Sequence, residues 1–187
     1  QVGAWTGALT LALARRVGSQ GAVYAIEPRR IAHQVLCANV AREQAFQVSV
    51  EGRLPNAEGT VQRIVELDPY SESHPNAFGN TRSQVSVEGM RLDDLALPMC
   101  QLITIQPPLS VEAVLAGAST LLSEQRPVIL MAPYPLEHLK AAAQRLNRVD
   151  YTLWAEQRIS PEEFLVVAIP SERKANMQGF QKINVNP

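Results

Sequence analysis

The sequence predicts an α/β protein whose sheet is mostly parallel and is covered by helices on both faces. Short apolar runs of strand length alternate along the chain with segments of helical periodicity, which is the pattern of βαβ units. Of the 187 residues, 46% are apolar and 19% are charged, a composition typical of globular proteins. This length supports one domain with a substantial core, which we place at residues 1–170, followed by a polar tail over residues 171–187.

The first quarter of the chain predicts a helix, a strand, a second helix and a second strand. These segments are, in order, Trp5 to Leu13, Ala22 to Ile26, Ile31 to Arg42 and Gln47 to Val50. Gly18 ends the first helix, and Pro28 stands where the first turn of a helix accepts proline. Ile31, Val35 and Ala38 share one face of the second helix, which we expect to pack on the sheet.

Residues 53–82 differ from their surroundings because they are rich in turn formers. Only Val61 to Leu67 has the pattern of a strand within them. An irregular segment of this length in a compact domain is more often a functional loop than a linker. Val85 to Val87 then restores a strand, and Leu92 to Leu97 predicts a brief helical turn.

The second half of the chain returns to alternating strands and helices. The predicted strands are Gln101 to Ile105, Pro127 to Ala132, Tyr151 to Trp154 and Phe164 to Ile169. Ser110 is predicted to cap the first helix between them, and Leu136 to Leu146 predicts a second. We expect Ala22 to Ile26 and Gln101 to Ile105 to share one sheet, with Phe164 to Ile169 as an antiparallel strand near its end.

The start of the chain is too short to hold the strand that we expect before the glycine turn. A doubly wound sheet places a central strand directly before its first glycine turn, but only Gln1 and Val2 precede Gly3. We therefore expect the first strand to be truncated and its remainder to lie upstream of Gln1. On this interpretation the chain is part of a longer chain or of an assembly.

Charge and composition exclude several classes of function. Seventeen Lys and Arg residues against eighteen Asp and Glu residues give a net charge of -1, which argues against binding of nucleic acid or of an anionic membrane. No apolar run reaches the length of a membrane span. Two distant cysteines, Cys37 and Cys100, and three scattered histidines predict neither a disulfide framework nor a metal site, and favour a cytoplasmic setting.

Two features together indicate a nucleoside-containing cofactor. Gly3 and Gly7 frame a strand-to-helix turn, where the backbone can approach a ligand; the alternative is a tight turn without a ligand. Glu27 ends the next strand, twenty residues after Gly7, where a carboxylate can accept hydrogen bonds from both hydroxyls of a ribose. The alternative for Glu27 is a surface residue that stabilises a helix start.

The segment that contains the glycine turn and Glu27 resembles a known family. The segment VGAWTGALTLALARRVGSQGAVYAIEP is similar to the opening of FkbM-type S-adenosylmethionine-dependent methyltransferases, and weaker similarity continues through QLITI, VLAGASTLL and RPVILMAPY. The resemblance implies a Rossmann-like class I methyltransferase sheet and, for residues 1–170, a methyltransferase-like domain with S-adenosylmethionine as cofactor. It implies that Gly3, Ala4 and Gly7 line the methionine side, that Glu27 holds the ribose, and that Gln106 borders the same cleft.

The chain departs from this pattern where the family carries acidic residues. Those positions correspond to Gln1, Gln106, Pro108 and Val111, and Glu112 lies one residue out of register. Two interpretations stay open. One is an enzyme that methylates an oxygen of a sugar or a similar small acceptor; the other is a catalytically degenerate module with a binding or structural role in a larger protein. A nicotinamide-binding domain is disfavoured because no G-x-G-x-x-G motif is present.

Residues that could act as a catalytic base are few. A methyl transfer to oxygen needs a group that removes the hydroxyl proton, and His74, in the long loop, is the candidate; the alternative is an exposed loop histidine. We expect His33 and His138 to be solvated. Asp93 and Asp94 are adjacent and point in different directions, so they predict a cap of the short helical turn and not a pair of cooperating carboxylates.

Overall fold

The structure is a computed structural model that describes residues 1–66, 84–160 and 163–183. The chain divides into two compact units. The first comprises Gln1–Leu54 and Gly59–Gly89, and the second comprises Pro55–Glu58 and Met90–Pro187.

The first unit is built on a parallel pair of strands with a helix before and between them. Its principal elements are α1 (Ala8–Val17), β1 (Val23–Ile26), α2 (Arg30–Arg42) and β2 (Val48–Glu51). Because β1 and β2 are parallel, with Val23 opposite Val48 and Ile26 opposite Glu51, their carboxyl ends lie at the same edge. The amide of Glu27 extends this ladder by donating to the carbonyl of Glu51 at 2.9 Å.

Four shorter strands follow in the chain. They are β3 (Leu54–Pro55), β4 (Gln62–Val65), β5 (Gln84–Val87) and β6 (Gly89–Met90). The strands β4 and β5 form an antiparallel pair, and β3 pairs with β6. The strands predicted from Val61 and from Val85 are thus confirmed over their described residues.

The inward face of α2 is not the one that the sequence predicts. Ala32 and Leu36 are buried, whereas Ile31 and Val35 are half-buried and Ala38 is exposed. Leu36 forms a core cluster with Ala4 and Ala25. The periodicity correctly predicts a helix, but the face that turns inward carries Ala32 and Leu36 and not Ile31, Val35 and Ala38.

The second unit contains a mixed five-stranded sheet. Its strands are β7 (Leu102–Ile105), β8 (Val128–Pro135), β9 (Tyr151–Ser160), β10 (Glu163–Pro170) and β11 (Gln181–Ile183), in the spatial order β11-β9-β10-β8-β7. Its helices are α3 (Val111–Ala116) and α4 (Lys140–Arg148), with short helical turns at Leu92–Leu95, Leu121–Gln125 and Leu136–Leu139. Buried Ile129, Met131, Val166 and Ala168 place the core on β8 and β10. A fully buried Ile, Met or Val side chain contributes about 1.5–3 kcal/mol.

The prediction of a mostly parallel sheet is confirmed only in part for the described residues. In the five-stranded sheet only β7 and β8 are parallel, while β8 with β10, β9 with β10 and β9 with β11 are antiparallel. The strands β1 and β2 are parallel to each other, and the expectation that Ala22 to Ile26 and Gln101 to Ile105 share one sheet stays a prediction. A parallel pair needs a crossover of a dozen or more residues, and β9 ends only three positions before β10 begins.

The predicted antiparallel strand near the C-terminus is confirmed. It spans Glu163–Pro170 and is antiparallel to both of its neighbours. Within the polar residues that follow, Gln181–Ile183 adds an edge strand against β9, with Ile183 opposite Leu153.

Three further observations concern the described residues alone. None of their helices is both long enough and apolar enough to cross a membrane. They contain no group of three or more His, Cys, Asp or Glu side chains placed to hold a metal ion. Cys37 is exposed, Cys100 is half-buried, and both are free thiols.

Candidate functional site

The predicted glycine turn lies against the end of β1. The amides of Gly3 and Ala4 both donate to the carbonyl of Ile26, at 2.9 and 3.0 Å, and Val2 forms a parallel bridge with Ile26. Three residues of the turn have left-handed backbone, with φ of +79° at Gly3, +53° at Trp5 and +97° at Gly7. The turn therefore projects from the carboxyl edge of β1 in a fixed conformation.

Both the backbone conformation at position 7 and the nearby side chain of Leu36 require a glycine there. It precedes α1, and a Cβ atom built on it would lie 2.7 Å from Cδ1 of Leu36. Neither a capping side chain nor an acidic residue occupies the first turn of α1. Glycine at this position thus allows α2 to pack close to the turn and leaves the start of α1 uncapped by side chains.

Glu27 is the centre of the site and is completely buried, with 0% of its surface exposed. Its Oε2 accepts a hydrogen bond from the amide of Trp5 at 2.8 Å. Its Oε1 accepts from the amide of Arg29 at 3.1 Å and from Nη1 of Arg29 at 2.8 Å. The structure thus brings the predicted ribose-binding residue to the predicted glycine turn.

Arg29 is a member of this site that the sequence analysis missed. It is 2% exposed, it forms a buried ion pair with Glu27, and its guanidinium lies over the ring of Trp5, 5.2 Å from the centroid. Burial raises the pKa of Glu27, while the charge of Arg29 and the two backbone donors act in the opposite direction. The one available signal was an arginine two residues after a strand-ending glutamate.

A second layer of polar residues surrounds Glu27 at the same edge. His33 places Nδ1 3.2 Å from the carbonyl oxygen of Glu27, and a Cβ on Gly52 would lie 3.4 Å from the ring of His33. The expectation that His33 is solvated is therefore wrong, because the side chain is half-buried between β1 and the end of β2. The Arg53 guanidinium, bonded to Glu51 at 2.7 Å, lowers the pKa of Glu51.

Glu66 supplies the cap that α2 lacks locally. Arg29, the residue before the helix, provides no capping side chain, and the first turn contains no acid. The carboxylate of Glu66 accepts hydrogen bonds from the amides of Arg30 and Ile31, at 3.2 and 2.9 Å. A negative charge at this position interacts favourably with the helix dipole.

Gln1 stands at the first of the positions where the family pattern is acidic. Its Oε1 accepts a hydrogen bond from the hydroxyl of Thr10 at 2.7 Å, and Thr10 is fully buried on α1. The side-chain oxygen of Gln1 is therefore used within the first unit.

The other substituted acidic positions belong to the second unit. Gln106 follows β7 directly and is half-buried, and Val111 is buried at the start of α3. The predicted cap of α3 is confirmed, since Oγ of Ser110 accepts from the amide of Ala113 at 3.3 Å. Glu112 bonds to Nη2 of Arg145 at 2.6 Å. The part assigned to Gln106 stays a prediction.

The predicted cap of the short helical turn is confirmed for Asp94. This carboxylate accepts from the amide and the guanidinium of Arg91, which caps the turn. Asp93 instead accepts from the amides of Thr120 and Leu121, at 2.9 and 3.0 Å, so its predicted part in the same cap is wrong.

The three histidines have different outcomes. His138 is exposed on the short helical turn before α4, which confirms its predicted place at the surface. His33 contacts the site as described above. His74, the candidate base, lies outside the described residues.

Comparison with known structures identifies the fold as that of methyltransferases. The crystal structure of methyltransferase FkbM from Methylobacillus flagellatus KT matches with a TM-score of 0.65 and 18% identity, over 90% of this chain and 42% of that chain. Precorrin-6y C5,15-methyltransferase from Geobacter metallireducens GS-15 matches with a TM-score of 0.52 and 14% identity, over 90% of this chain and 77% of that one. The resemblance to FkbM-type methyltransferases is thus confirmed at the level of the fold.

The chain spans less than half the length of the FkbM structure. No protein-family profile and no curated protein sequence matches the chain.

Proposed function

We propose that this chain is a methyltransferase-fold domain that binds S-adenosylmethionine and takes part in methyl transfer to an oxygen of a sugar or a similar small acceptor. The observation that carries the proposal is the position of Glu27. Its carboxylate lies at the carboxyl end of β1 and accepts a hydrogen bond from the Trp5 amide of the glycine turn at 2.8 Å. In open α/β sheets, ligands bind outside the carboxyl ends of the strands.

The residues of the first unit fit the nucleoside half of this cofactor. A buried carboxylate accepts hydrogen bonds and donates none, which suits the hydroxyls of a ribose. The uncapped start of α1 and the left-handed backbone of Gly3 and Gly7 suit close approach of the rest of the ligand. Since the amides of Gly3 and Ala4 are bonded to Ile26, we assign to them a role in shaping the turn and not in donating to the ligand.

The chemistry of the proposed reaction requires little from the protein beyond alignment and one base. S-adenosylmethionine supplies an activated methyl group when bound, and the chain's own residues bind and orient it. We keep His74 as the proposed base that removes the acceptor's proton. The free thiols of Cys37 and Cys100 support a cytoplasmic setting for this activity.

The second candidate function is a module that binds the nucleoside without catalysing transfer. It is favoured by the substituted acidic positions, because Val111 is buried and Glu112 is paired with Arg145. A neutral glutamine, as at Gln1 and Gln106, forms weaker hydrogen bonds to an ammonium group than a carboxylate does. This interpretation predicts that the chain retains the adenosine half of the site better than the methionine half.

Calorimetric titration tests the binding that both candidates share. We expect S-adenosylmethionine, its demethylated product and adenosine to bind, and Glu27→Gln to weaken each by about 1–3 kcal/mol because a charged acceptor is lost. Glu112→Gln is the matched control and should leave these affinities unchanged. Equal affinity of the wild type and Glu27→Gln would contradict the assignment of Glu27.

A methyl-transfer assay on a panel of sugars separates the two candidates. Turnover that His74→Ala abolishes would establish the enzyme and its base. Binding of adenosine without turnover on any acceptor would favour the module.

A further inference from the structure

One hydrogen-bond donor beside Glu27 has no acceptor among the described residues. Nη2 of Arg29 is buried and has no hydrogen-bond partner among the described residues. Buried polar groups are almost always paired, and leaving a buried donor unpaired costs free energy. An arginine that is 2% exposed and bonds to Glu27 only through Nη1 and its amide therefore offers a donor to something else.

The carboxylate of Glu27 can accept one further hydrogen bond. A carboxylate offers about four lone-pair positions, and Glu27 accepts three hydrogen bonds, one on Oε2 and two on Oε1. A free acceptor position on Oε2 thus belongs to the same ion pair as the free donor on Nη2.

The charge of this pair restricts the ligand. An anion attracted by Arg29 would be repelled by Glu27, and a cation attracted by Glu27 would be repelled by Arg29. A hydroxyl is neutral and both donates and accepts. Two adjacent hydroxyls can therefore satisfy the acceptor and the donor together, which is the arrangement on a ribose.

We propose that Arg29 is a second ribose-binding residue, in which Nη2 donates to one hydroxyl of the vicinal diol while the other hydroxyl donates to Glu27. This inference rests on the proposed function, because it takes the ligand to be the adenosine half of S-adenosylmethionine. It adds a residue and a geometry to that function: the diol is held by an ion pair and not by a carboxylate alone.

Trp5 lies beside this pair. Its ring centroid is 5.2 Å from the guanidinium of Arg29, and the residue is half-buried, so a ribose bound at Nη2 changes the surroundings of the indole. Binding of the nucleoside should therefore change the fluorescence of Trp5, with Trp154→Phe removing the signal of the other tryptophan.

The test compares three nucleosides on four proteins. Adenosine, 2′-deoxyadenosine and 3′-deoxyadenosine are titrated into the wild type, Arg29→Gln, Arg29→Lys and Arg30→Gln. Lysine keeps the charge beside Glu27 but lacks the planar fork of two Nη atoms, so it preserves folding if glutamine does not. Arg30 is exposed, so Arg30→Gln is the matched control.

The expected result is a loss that depends on one hydroxyl. Both Arg29 variants should bind adenosine about 10- to 100-fold more weakly than the wild type, the range for a hydrogen bond from a charged group. They should bind one of the two deoxynucleosides almost as the wild type does, because that ligand lacks the hydroxyl that Arg29 contacts. Arg30→Gln should match the wild type for all three.

Other outcomes overturn the proposal. An equal loss for all three nucleosides would show that Arg29 only supports the fold, and tighter binding of adenosine to Arg29→Gln would show that Arg29 excludes the ribose. Failure of the wild type to bind any of the nucleosides would instead refute the proposed function, and the two failures are thus distinguishable.

Discussion

Each unit contains an arginine stacked on an aromatic ring, and the two differ in how fully the arginine is used. In the first unit Arg29 lies 5.2 Å from the ring centroid of Trp5; in the second unit Arg126 lies 4.8 Å from that of Tyr151. Arg126 donates to both carboxylate oxygens of Glu172 and to the carbonyls of Leu122, Val149 and Asp150. Arg29 bonds to Glu27 and leaves one buried donor unpaired among the described residues.

The difference separates a structural arginine from one that is available to a ligand. Arg126 ties the end of α4 to residues that follow β10, and its donors are shared among partners of the same unit. Its hydrogen bonds to the carboxylate lower the pKa of Glu172 to about 2. Arg29 has the burial of a structural residue without its full set of partners, which is the combination expected where a ligand completes the hydrogen bonding.

The largest difference between the two arginines should appear when their carboxylate partners are removed. Glu27→Ala leaves the charge of Arg29 buried and unpaired, so we expect it to lower the free energy of unfolding by about 3–5 kcal/mol. Glu172→Ala should lower it much less, because the side chain of Glu172 is 56% exposed. Urea denaturation of both variants measures this. A similar, small effect of the two would show that the comparison is wrong and that Glu27 and Arg29 are solvated.

Gly7 tests whether the turn that carries Trp5 is held by packing. Gly7→Ala places a methyl group in left-handed backbone and 2.7 Å from Cδ1 of buried Leu36, so we expect a loss of about 2–3 kcal/mol. Gly179→Ala is the matched control, since Gly179 has φ of +82° and the nearest atom to its added Cβ is Oε1 of Glu156 at 4.0 Å, and it should lose only about 1 kcal/mol. Thermal unfolding of both variants gives the comparison. Equal losses would mean that conformation alone, and not contact with Leu36, requires the glycine.

Much of the site of Glu27 could be predicted because its signals are local. A strand of apolar residues, a glycine turn and a glutamate at a fixed spacing were enough to place Glu27 at the carboxyl end of β1. The caps by Ser110 and Asp94 were predicted on the same basis. In each case the residues that interact, or the pattern that identifies them, lie within one or two elements.

The features that the sequence did not predict depend on contacts between distant residues. Glu66 reaches the start of α2 across 35 residues of chain, and nothing near Arg30 identifies it. The buried face of α2 depends on Gly7, which makes room for Leu36. The antiparallel pairing of β9 with β10 depends on how far β9 extends, and it runs to Ser160 where the apolar pattern predicted an end at Trp154.

The smallest expected change in stability is that of replacing Tyr151, which lies in the second unit and contacts Arg126. Its hydroxyl is buried and, like Nη2 of Arg29, has no hydrogen-bond partner among the described residues. The carboxylate near Tyr151 belongs to Glu172, and both of its oxygens already accept hydrogen bonds from Arg126. We therefore expect Tyr151→Phe to change stability at pH 7 by less than about 0.5 kcal/mol and to leave adenosine binding unchanged.

Burial raises the pKa of Tyr151 to about 12, above the value near 10 of an unfolded chain. Between these values the folded protein retains a proton that the unfolded chain loses, so the wild type loses stability as the pH rises from 10 to 12 and the variant is spared this loss. Urea denaturation at pH 7 and at pH 10.5 measures both effects, and a marked destabilisation of the variant at pH 7 would show that the hydroxyl has a partner after all.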